Sequence, residues 1–340
     1  MIEFHDRGRE IEEIKRILGA PPNLITFVYG PINSGKTALF QHLIERLPNE
    51  FVTFYVNLRE RMIRDYNDFV EALFEIPEGK RKVIVKELVN EVTRFVGIPI
   101  SKSLLDHIFK EDKPKNAFRY IVKVTEEIKN RGKKPVLIID ELHKIGDIKV
   151  DDYLIYELFN LFVRLTKELH TCHIFAVTSD PLFVEKVYNE AMLQGRCRYL
   201  LVDDFDYDTT VSFLKKHSFS EEEIELTWNY FGGKPVYLVE VVNNKHKLRE
   251  FCEEQLKLRY SQILDTIYEI EENRELFNRV LELFKTISEE EVLKYAKIDE
   301  SLKFCVRKNI LFLEPVERIV KPQSKLDLLA IRESLKVFKF

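Results

Sequence analysis

Gly30-Pro31-Ile32-Asn33-Ser34-Gly35-Lys36-Thr37 decides how this chain is read, because it fits the spacing GxxxxGK[ST] and is framed by structure-forming sequence on both sides. The apolar run Leu24-Ile25-Thr26-Phe27-Val28-Tyr29 reads as a buried strand leading into it, and Thr37-Ala38-Leu39-Phe40-Gln41-His42-Leu43-Ile44-Glu45-Arg46-Leu47 reads as a helix leading out. A strand, a tight glycine loop and a helix N-terminus aim backbone N–H groups at a polyphosphate. The loop residues Gly30, Pro31, Ile32, Asn33, Ser34, Gly35, Lys36, Thr37 and Ala38 are therefore the expected nucleotide cradle. Lys36 would reach the β/γ-phosphates and the Thr37 hydroxyl would ligate Mg²⁺. With only 11 glycines among 340 residues, the pattern is hard to meet by chance.

Working outward, Phe51-Val52-Thr53-Phe54-Tyr55-Val56-Asn57 reads as a second strand. Residues 58–133 carry a mainly helical period with breaks near Pro77-Glu78-Gly79, Gly97-Ile98-Pro99 and Asp112-Lys113-Pro114, and form an expected insertion. Pro135-Val136-Leu137-Ile138-Ile139-Asp140-Glu141 is then a continuous aliphatic strand ending in two acids. That pattern suits a parallel strand buried on both faces, with its carboxylates at the edge where open α/β sheets bind ligands. Asp140 is expected to share the metal with Thr37, and Glu141 to orient and polarise an attacking water. A fourth strand, His173 to Thr178, ends in Thr178-Ser179-Asp180, whose hydroxyls are placed to sense a γ-phosphate. Gly195-Arg196-Cys197-Arg198 opens a fifth strand, and Arg196 is the candidate for stabilising phosphate charge, from the same chain or a neighbouring subunit.

Composition narrows the class. The formal net charge of −4 and hydrophobic content of 45% indicate a soluble globular chain with no global attraction to nucleic acid or anionic membrane. The start lacks the basic and apolar regions of a signal peptide, and no apolar run reaches the length of a membrane span, so a cytoplasmic location and no membrane partner are expected. Cys172, Cys197, Cys252 and Cys305 form no CxxC pair and read as reduced thiols.

The order Phe4-x-x-Arg7-x-x-Glu10, GPINSGKT at 30–37, LIIDE at 137–141, LQGR at 193–196 and Gly232-Gly233-Lys234-Pro235-Val236-Tyr237-Leu238 resembles the archaeal ATPase family, in the STAND branch of the AAA+ P-loop class. The motifs run from residue 4 to about 335 and so span nearly the whole chain. The resemblance implies an α/β fold: a five-stranded parallel sheet in order 5-1-4-3-2 with a helical lid and a C-terminal winged helix. It further implies that Pro235 packs on the adenine side of ATP or ADP and that Arg7 lies near the base. The family more often has Gly-Ser after the fourth strand, so either Thr178 or Ser179 is the candidate sensor here. The expected division is an ATPase domain over 1–203, a lid over 204–273 and a winged helix over 274–340.

In the last unit, Glu275 to Lys285 is amphipathic and Ser288-Glu289-Glu290-Glu291 fits a capping box opening a second helix. Asp299 to Lys308 reads as a third helix, and Leu311 to Pro315 with Arg318 to Lys321 as a wing. A DNA-reading third helix would present Lys303, Arg307 and Lys308, yet residues 275–340 hold 13 Lys and Arg against 11 Asp and Glu, a thin positive balance. The reading that follows is a nucleotide-dependent conformational switch that hydrolyses ATP, with protein docking through the winged helix. An ATP-controlled DNA-binding protein of the replication-initiator or mobile-element type is the alternative. A small-molecule kinase is disfavoured because nothing marks a second substrate site.

Overall fold

A computed structural model describes residues 3–60, 62–76, 93–111, 114–146, 149–150 and 152–338. Its centre is a parallel sheet of β1 (Ile25–Tyr29), β2 (Phe51–Asn57), β3 (Arg94–Val96), β4 (Lys134–Asp140), β5 (His173–Thr178) and β6 (Cys197–Leu201). The strand order is β6-β1-β5-β4-β2-β3. The first five places match the expected 5-1-4-3-2, and β3 is an addition at the edge. Every residue of β1 and β5 is buried, as continuous apolar strands in the middle of a doubly covered sheet should be. Their register, Tyr29 beside Thr178 and Leu201, and Asn57 beside Asp140, brings the carboxyl ends of the strands to one edge.

One face of the sheet is covered by α1 (Gly8–Gly19) and α2 (Lys36–Arg46). Ile14, Leu39, Phe40 and Leu43 pack there against Val28, Ile138, Phe175 and Val177. Phe40 is fully buried, with its ring 5.4 Å from that of Phe175, so its truncation to alanine would cost about 3–5 kcal/mol. The other face is covered by α3 (Pro114–Asn130) and α4 (Leu154–Val163), whose Ile121, Leu158, Phe159 and Phe162 meet Phe27, Leu137 and Ile174.

The stretch 58–133 departs from its helical expectation. It contains helices but also β3, which pairs with β2 through Thr53 N–H to Thr93 O and Gly97 N–H to Tyr55 O, both 2.8 Å. A three-residue strand whose Val96 is exposed has no apolar run to announce it; the ladder bonds define it. The expected break at Pro77–Gly79 lies outside the described residues.

After β6 and α5 (Pro181–Tyr188), which precedes it, the chain builds a helical layer. It comprises α6 (Tyr207–Lys216), α7 (Glu221–Phe231), α8 (Pro235–Asn243) and α9 (Leu248–Tyr268), with a core of Phe213, Leu214, Phe231, Leu238 and Phe251. Ser220 caps α7 with a full capping box. The C-terminal unit follows as α10 (Arg274–Glu290), β7 (Leu293–Lys294), α11 (Glu300–Arg307), the hairpin β8 (Leu311–Glu314) and β9 (Ile319–Pro322), and α12 (Lys325–Leu335). The expected second helix at Ser288 is absent. The apolar stripe Phe277, Val280, Leu281, Phe284, Ile287 carries α10 through Ser288, whose hydroxyl donates back to Lys285 O, and β7 follows instead. Extending an existing helix costs less than nucleating another. Helix α12 ties this unit to the helical layer, since Leu326 lies in the latter's core while Leu328 and Ile331 lie in the C-terminal core. Arg259 on α9 and the buried Asp327 on α12 join the same two parts at 2.6 Å.

Candidate functional site

Gly30-Pro31-Ile32-Asn33-Ser34-Gly35 turns sharply between β1 and α2, with Asn33 and Gly35 both in the left-handed region. Gly35 occupies the N-cap position without a side-chain cap, leaving the first-turn amides of α2 to face a ligand. Lys36 is buried and its Nζ donates to Gly30 O at 3.0 Å, Pro31 O at 2.7 Å and Ser34 Oγ at 3.3 Å. Burial first, and then the nearby charge of Lys234, push its ammonium down to about 8.

The acid pair at the end of β4 meets this loop. Thr37 Oγ1 donates to Asp140 Oδ2 at 2.6 Å, Tyr55 Oη donates to the same oxygen at 2.9 Å, and Glu141 N–H donates to Asp140 Oδ1. The Asp140 carboxylate is thus fixed on both oxygens, and burial together with Asp140 pushes the Tyr55 phenol upward. Thr37 and Asp140 supply adjacent hard oxygen donors, which fits Mg²⁺, an ion that takes one or two protein ligands and keeps several waters. Glu141 is buried in a left-handed conformation. Its Oε1 accepts from Arg59 Nη2 at 2.5 Å; its Oε2 accepts from Ser179 Oγ at 3.4 Å and lies 3.5 Å from His143 Nε2. His143 Nδ1 in turn stands 3.1 Å from Thr178 Oγ1, and burial chiefly pulls the imidazole below its ordinary value. Both hydroxyls that the sequence left as sensor candidates therefore reach Glu141, Ser179 directly and Thr178 through His143.

Arg7 is also at the loop. Its Nη2 donates to Ser34 O at 2.5 Å, its Nη1 pairs with Glu10 at 2.8 Å, and its guanidinium lies over Phe205 at 4.4 Å. Pro235 begins α8 at its first turn. Arg196 is not brought to the loop. Arg196 precedes β6, whose first residue pairs with Ile25, whereas the loop leaves β1 after Tyr29; a strand length, roughly 15 Å, separates them. Within one chain Arg196 instead donates to Met192 O, a correction to its expected place at the phosphates.

Four side chains that the sequence reading passed over complete the arrangement. Tyr55 and Arg59 hold the two acids. Lys234, carried between Gly233 and Pro235, is buried and sends its Nζ to Ile32 O at 3.2 Å and Asp204 Oδ1 at 3.0 Å. Gln323 Oε1, just past β9, accepts from Ile32 N–H at 3.3 Å.

Comparison with known proteins agrees with this geometry. Residues 4–241 match the ATPase domain predominantly from Archaea, and residues 249–335 match the C-terminal domain of an uncharacterized ATP-binding family. The chain belongs to this archaeal ATPase-domain family. Among similar members, an uncharacterized ATP-binding protein of Pyrococcus abyssi is 51% identical over 340 residues, covering 99% of this chain and all of that protein. One of Methanocaldococcus jannaschii is 48% identical, covering 99% of each. Among solved structures, the Walker-type ATPase paby2304 of Pyrococcus abyssi shares the fold with a TM-score of 0.66 at 19% identity, over 97% of this chain and 96% of its own. The ORC2 protein of Aeropyrum pernix in its ADP form follows at 0.52 and 12%, over 99% and 96%. Among the described residues of this archaeal ATPase-family chain, no helix is long and apolar enough to cross a membrane.

Proposed function

We propose that this chain binds ATP and hydrolyses it slowly, acting as a nucleotide-dependent conformational switch. Gly30 to Ala38 cradle the phosphates, Thr37 and Asp140 would hold Mg²⁺, and Glu141 orients the attacking water. The ion, when bound, neutralises phosphate charge. Ser179 and His143 keep Glu141 in place, and Arg7 and Pro235 are assigned to the adenine end.

The observation that carries the switch is the double grip on one loop residue. Ile32, in the middle of the loop, is held at its carbonyl by Lys234 from the helical layer and at its amide by Gln323 from the C-terminal unit. Those two parts share α12, so they form a natural moving body over 204–340. A ligand that shifts the loop changes both contacts together, which is the differential interaction a two-state element needs. ATP turnover of the wild type, Lys36→Ala and Glu141→Gln tests hydrolysis; equal rates in all three would overturn it. Hydrogen exchange at 232–238 and 311–323 tests the switch, with faster exchange in one nucleotide state expected and identical exchange with ADP and ATP opposing it.

A second reading, ATP-controlled DNA binding, draws on Lys297, Lys303, Arg307 and Arg318, which line a cleft of about 470 Å³ between α5 and the C-terminal unit. Helix α11 packs its Leu302, Cys305 and Val306 inward, and Lys303 and Lys308 pair with Glu300 and Glu269, which supports intramolecular docking or a protein partner ahead of DNA. Affinity for duplex DNA across a salt series separates the two, because phosphate contacts weaken steeply with salt.

A further inference from the structure

We propose that the cleft between α5 and the C-terminal unit is a docking site for an acidic, partly apolar segment of a protein partner, an assignment that rests on the preference given above for a protein over DNA at that unit and names the surface and the chemistry it takes.

Four cations, Lys297, Lys303, Arg307 and Arg318, line this cleft of about 470 Å³ against one carboxylate, Glu185. The whole chain carries a formal net charge of −4, so the positive charge is concentrated here. It is not answered from within. Lys303 pairs with Glu300 at 2.8 Å, but among the described residues no carboxylate pairs with Lys297, Arg307 or Arg318. Glu185 is occupied elsewhere, its Oε1 accepting from the Asn189 amide at 2.8 Å.

The cations are also positioned. Arg318 lies in the left-handed region at φ 56°, its Nη2 donating to Ala296 O at 2.6 Å and its carbonyl accepting from Tyr295 N–H at 3.0 Å. A guanidinium carries five N–H donors, so one bond fixes it and leaves others for a carboxylate. Lys303 and Arg307 are four residues apart and share one face of α11, which Leu302, Cys305 and Val306 anchor in the C-terminal core. The walls are joined beneath the cleft: Leu182 of α5 packs on that core, and Val184 meets Phe312 and Tyr29. Helix α5 begins just after Thr178 and Ser179, so a segment seated there spans the joint between the ATPase sheet and the C-terminal unit.

The lining is mixed, with Leu182, Ile298 and the Tyr295 ring among the cations. A matching ligand sets apolar side chains between carboxylates. Burial chiefly, and then Glu185, push the Tyr295 phenol up to about 12, so it stays a neutral donor and adds no negative charge. Duplex DNA fits less well, because a reading helix must enter a groove about 12 Å wide, whereas Lys303 and Arg307 share their cleft with α5. A single strand would need several aromatic platforms, and Tyr295 is the only ring among the described lining residues.

The test is fluorescence anisotropy of a labelled peptide of Glu-Glu-Leu repeats titrated with the full-length chain at low salt, with thermal melts to compare folding. The peptide should bind, and the same peptide with Gln in place of Glu should bind about tenfold more weakly or worse, since it keeps the shape and loses the charge. Lys297→Glu combined with Arg307→Glu, both at exposed positions, should weaken the acidic peptide about tenfold or more. Lys15→Glu combined with Lys123→Glu, exposed on α1 and α3, changes net charge equally and should move the affinity less than about threefold. If the first double variant melts early, the Gln peptide decides. No binding of the acidic peptide, equal binding of the Gln peptide, or equal losses in the two double variants would overturn the proposal alone. Tighter binding of labelled single-stranded or duplex DNA, lost in Lys297→Glu with Arg307→Glu, would overturn it together with the preference for a protein partner.

Discussion

Arg59 Nη2 lies 2.5 Å from Glu141 Oε1, so the carboxylate assigned to water activation is held by a guanidinium from the turn that follows β2. The pair is lopsided, with Arg59 59% exposed and Glu141 only 8%. A mobile surface cation can leave; the buried acid cannot follow it. While paired, that carboxylate oxygen is occupied and is not open to a water. Arg59→Ala should therefore raise ATP turnover several-fold at a cost in stability of about 1–3 kcal/mol, because it leaves a buried carboxylate without its cation. Arg59→Ala combined with Glu141→Gln should be as slow as Glu141→Gln alone. A fall in turnover for Arg59→Ala would mean that Arg59 positions the acid and does not restrain it.

Lys36 makes binding depend on pH. Its ammonium is pushed down to about 8 in the folded chain, against an ordinary 10.5. Between those values the unfolded chain holds the extra proton, so stability should rise with pH across about 8 to 10.5, and below 8 the buried charge costs on the order of 3 kcal/mol. A polyphosphate favours the charged form and reverses the shift, so ATP binding should take up protons near pH 8.5 and none near pH 6.5. Binding heats measured in two buffers of different ionisation enthalpy report this directly. Proton release, or uptake that survives Lys36→Met, would oppose the assignment.

The hairpin that reaches the loop also carries a buried acid. Tyr29 Oη, the last side chain before the loop, donates to Glu314, which also accepts the amides of Val316 and Glu317. Beside it, Lys321 pairs with Asp203 at 2.5 Å. Glu314→Ala would leave a buried phenol and two turn amides without their acceptor and should destabilise by about 2–4 kcal/mol, read by urea unfolding. Gln323→Ala removes two bonds, one at the part-buried Ile32 amide and one at the buried Leu311 carbonyl, and should cost about 1–3 kcal/mol while speeding ADP release several-fold, read by stopped-flow displacement of a fluorescent analogue. Unchanged release would leave the C-terminal unit without a hold on the loop.

What the sequence disclosed and what it hid follow from the range of the interactions. The loop, the acid pair and five strands were legible because their signals are local: a run such as Val136-Leu137-Ile138-Ile139 can satisfy itself only inside a parallel sheet. The strand order came from the resemblance. β3 was hidden because three residues ending in an exposed valine have no periodicity, and the Ser288 capping pattern misled because its apolar stripe already belonged to α10. Lys234, Arg59 and Gln323 were missed for another reason. Lysine, arginine and glutamine read as solvated residues until a fold buries or pairs them, and Gln323 is 291 positions from the amide it holds. A lysine squeezed between two glycines and a proline was the one available hint.

Gly233 supplies the sharpest structural test. A methyl group there would stand 1.8 Å from Phe205 O, and the obstacle is backbone, which cannot swing aside as a side chain can. Gly233→Ala must separate the start of α8 from the linker, break the Phe205 N–H to Gly233 O bond and draw Lys234 away from Ile32 O. It should destabilise by about 3 kcal/mol or more. Gly19→Ala is the matched control, since nothing lies within 4 Å of its would-be Cβ at the end of α1, and it should be neutral or stabilising by up to about 1 kcal/mol. Thermal melts of both variants check the contrast; a Gly233→Ala chain as stable as wild type would show that the linker and α8 are not locked together in the way that aims Lys234 at the loop.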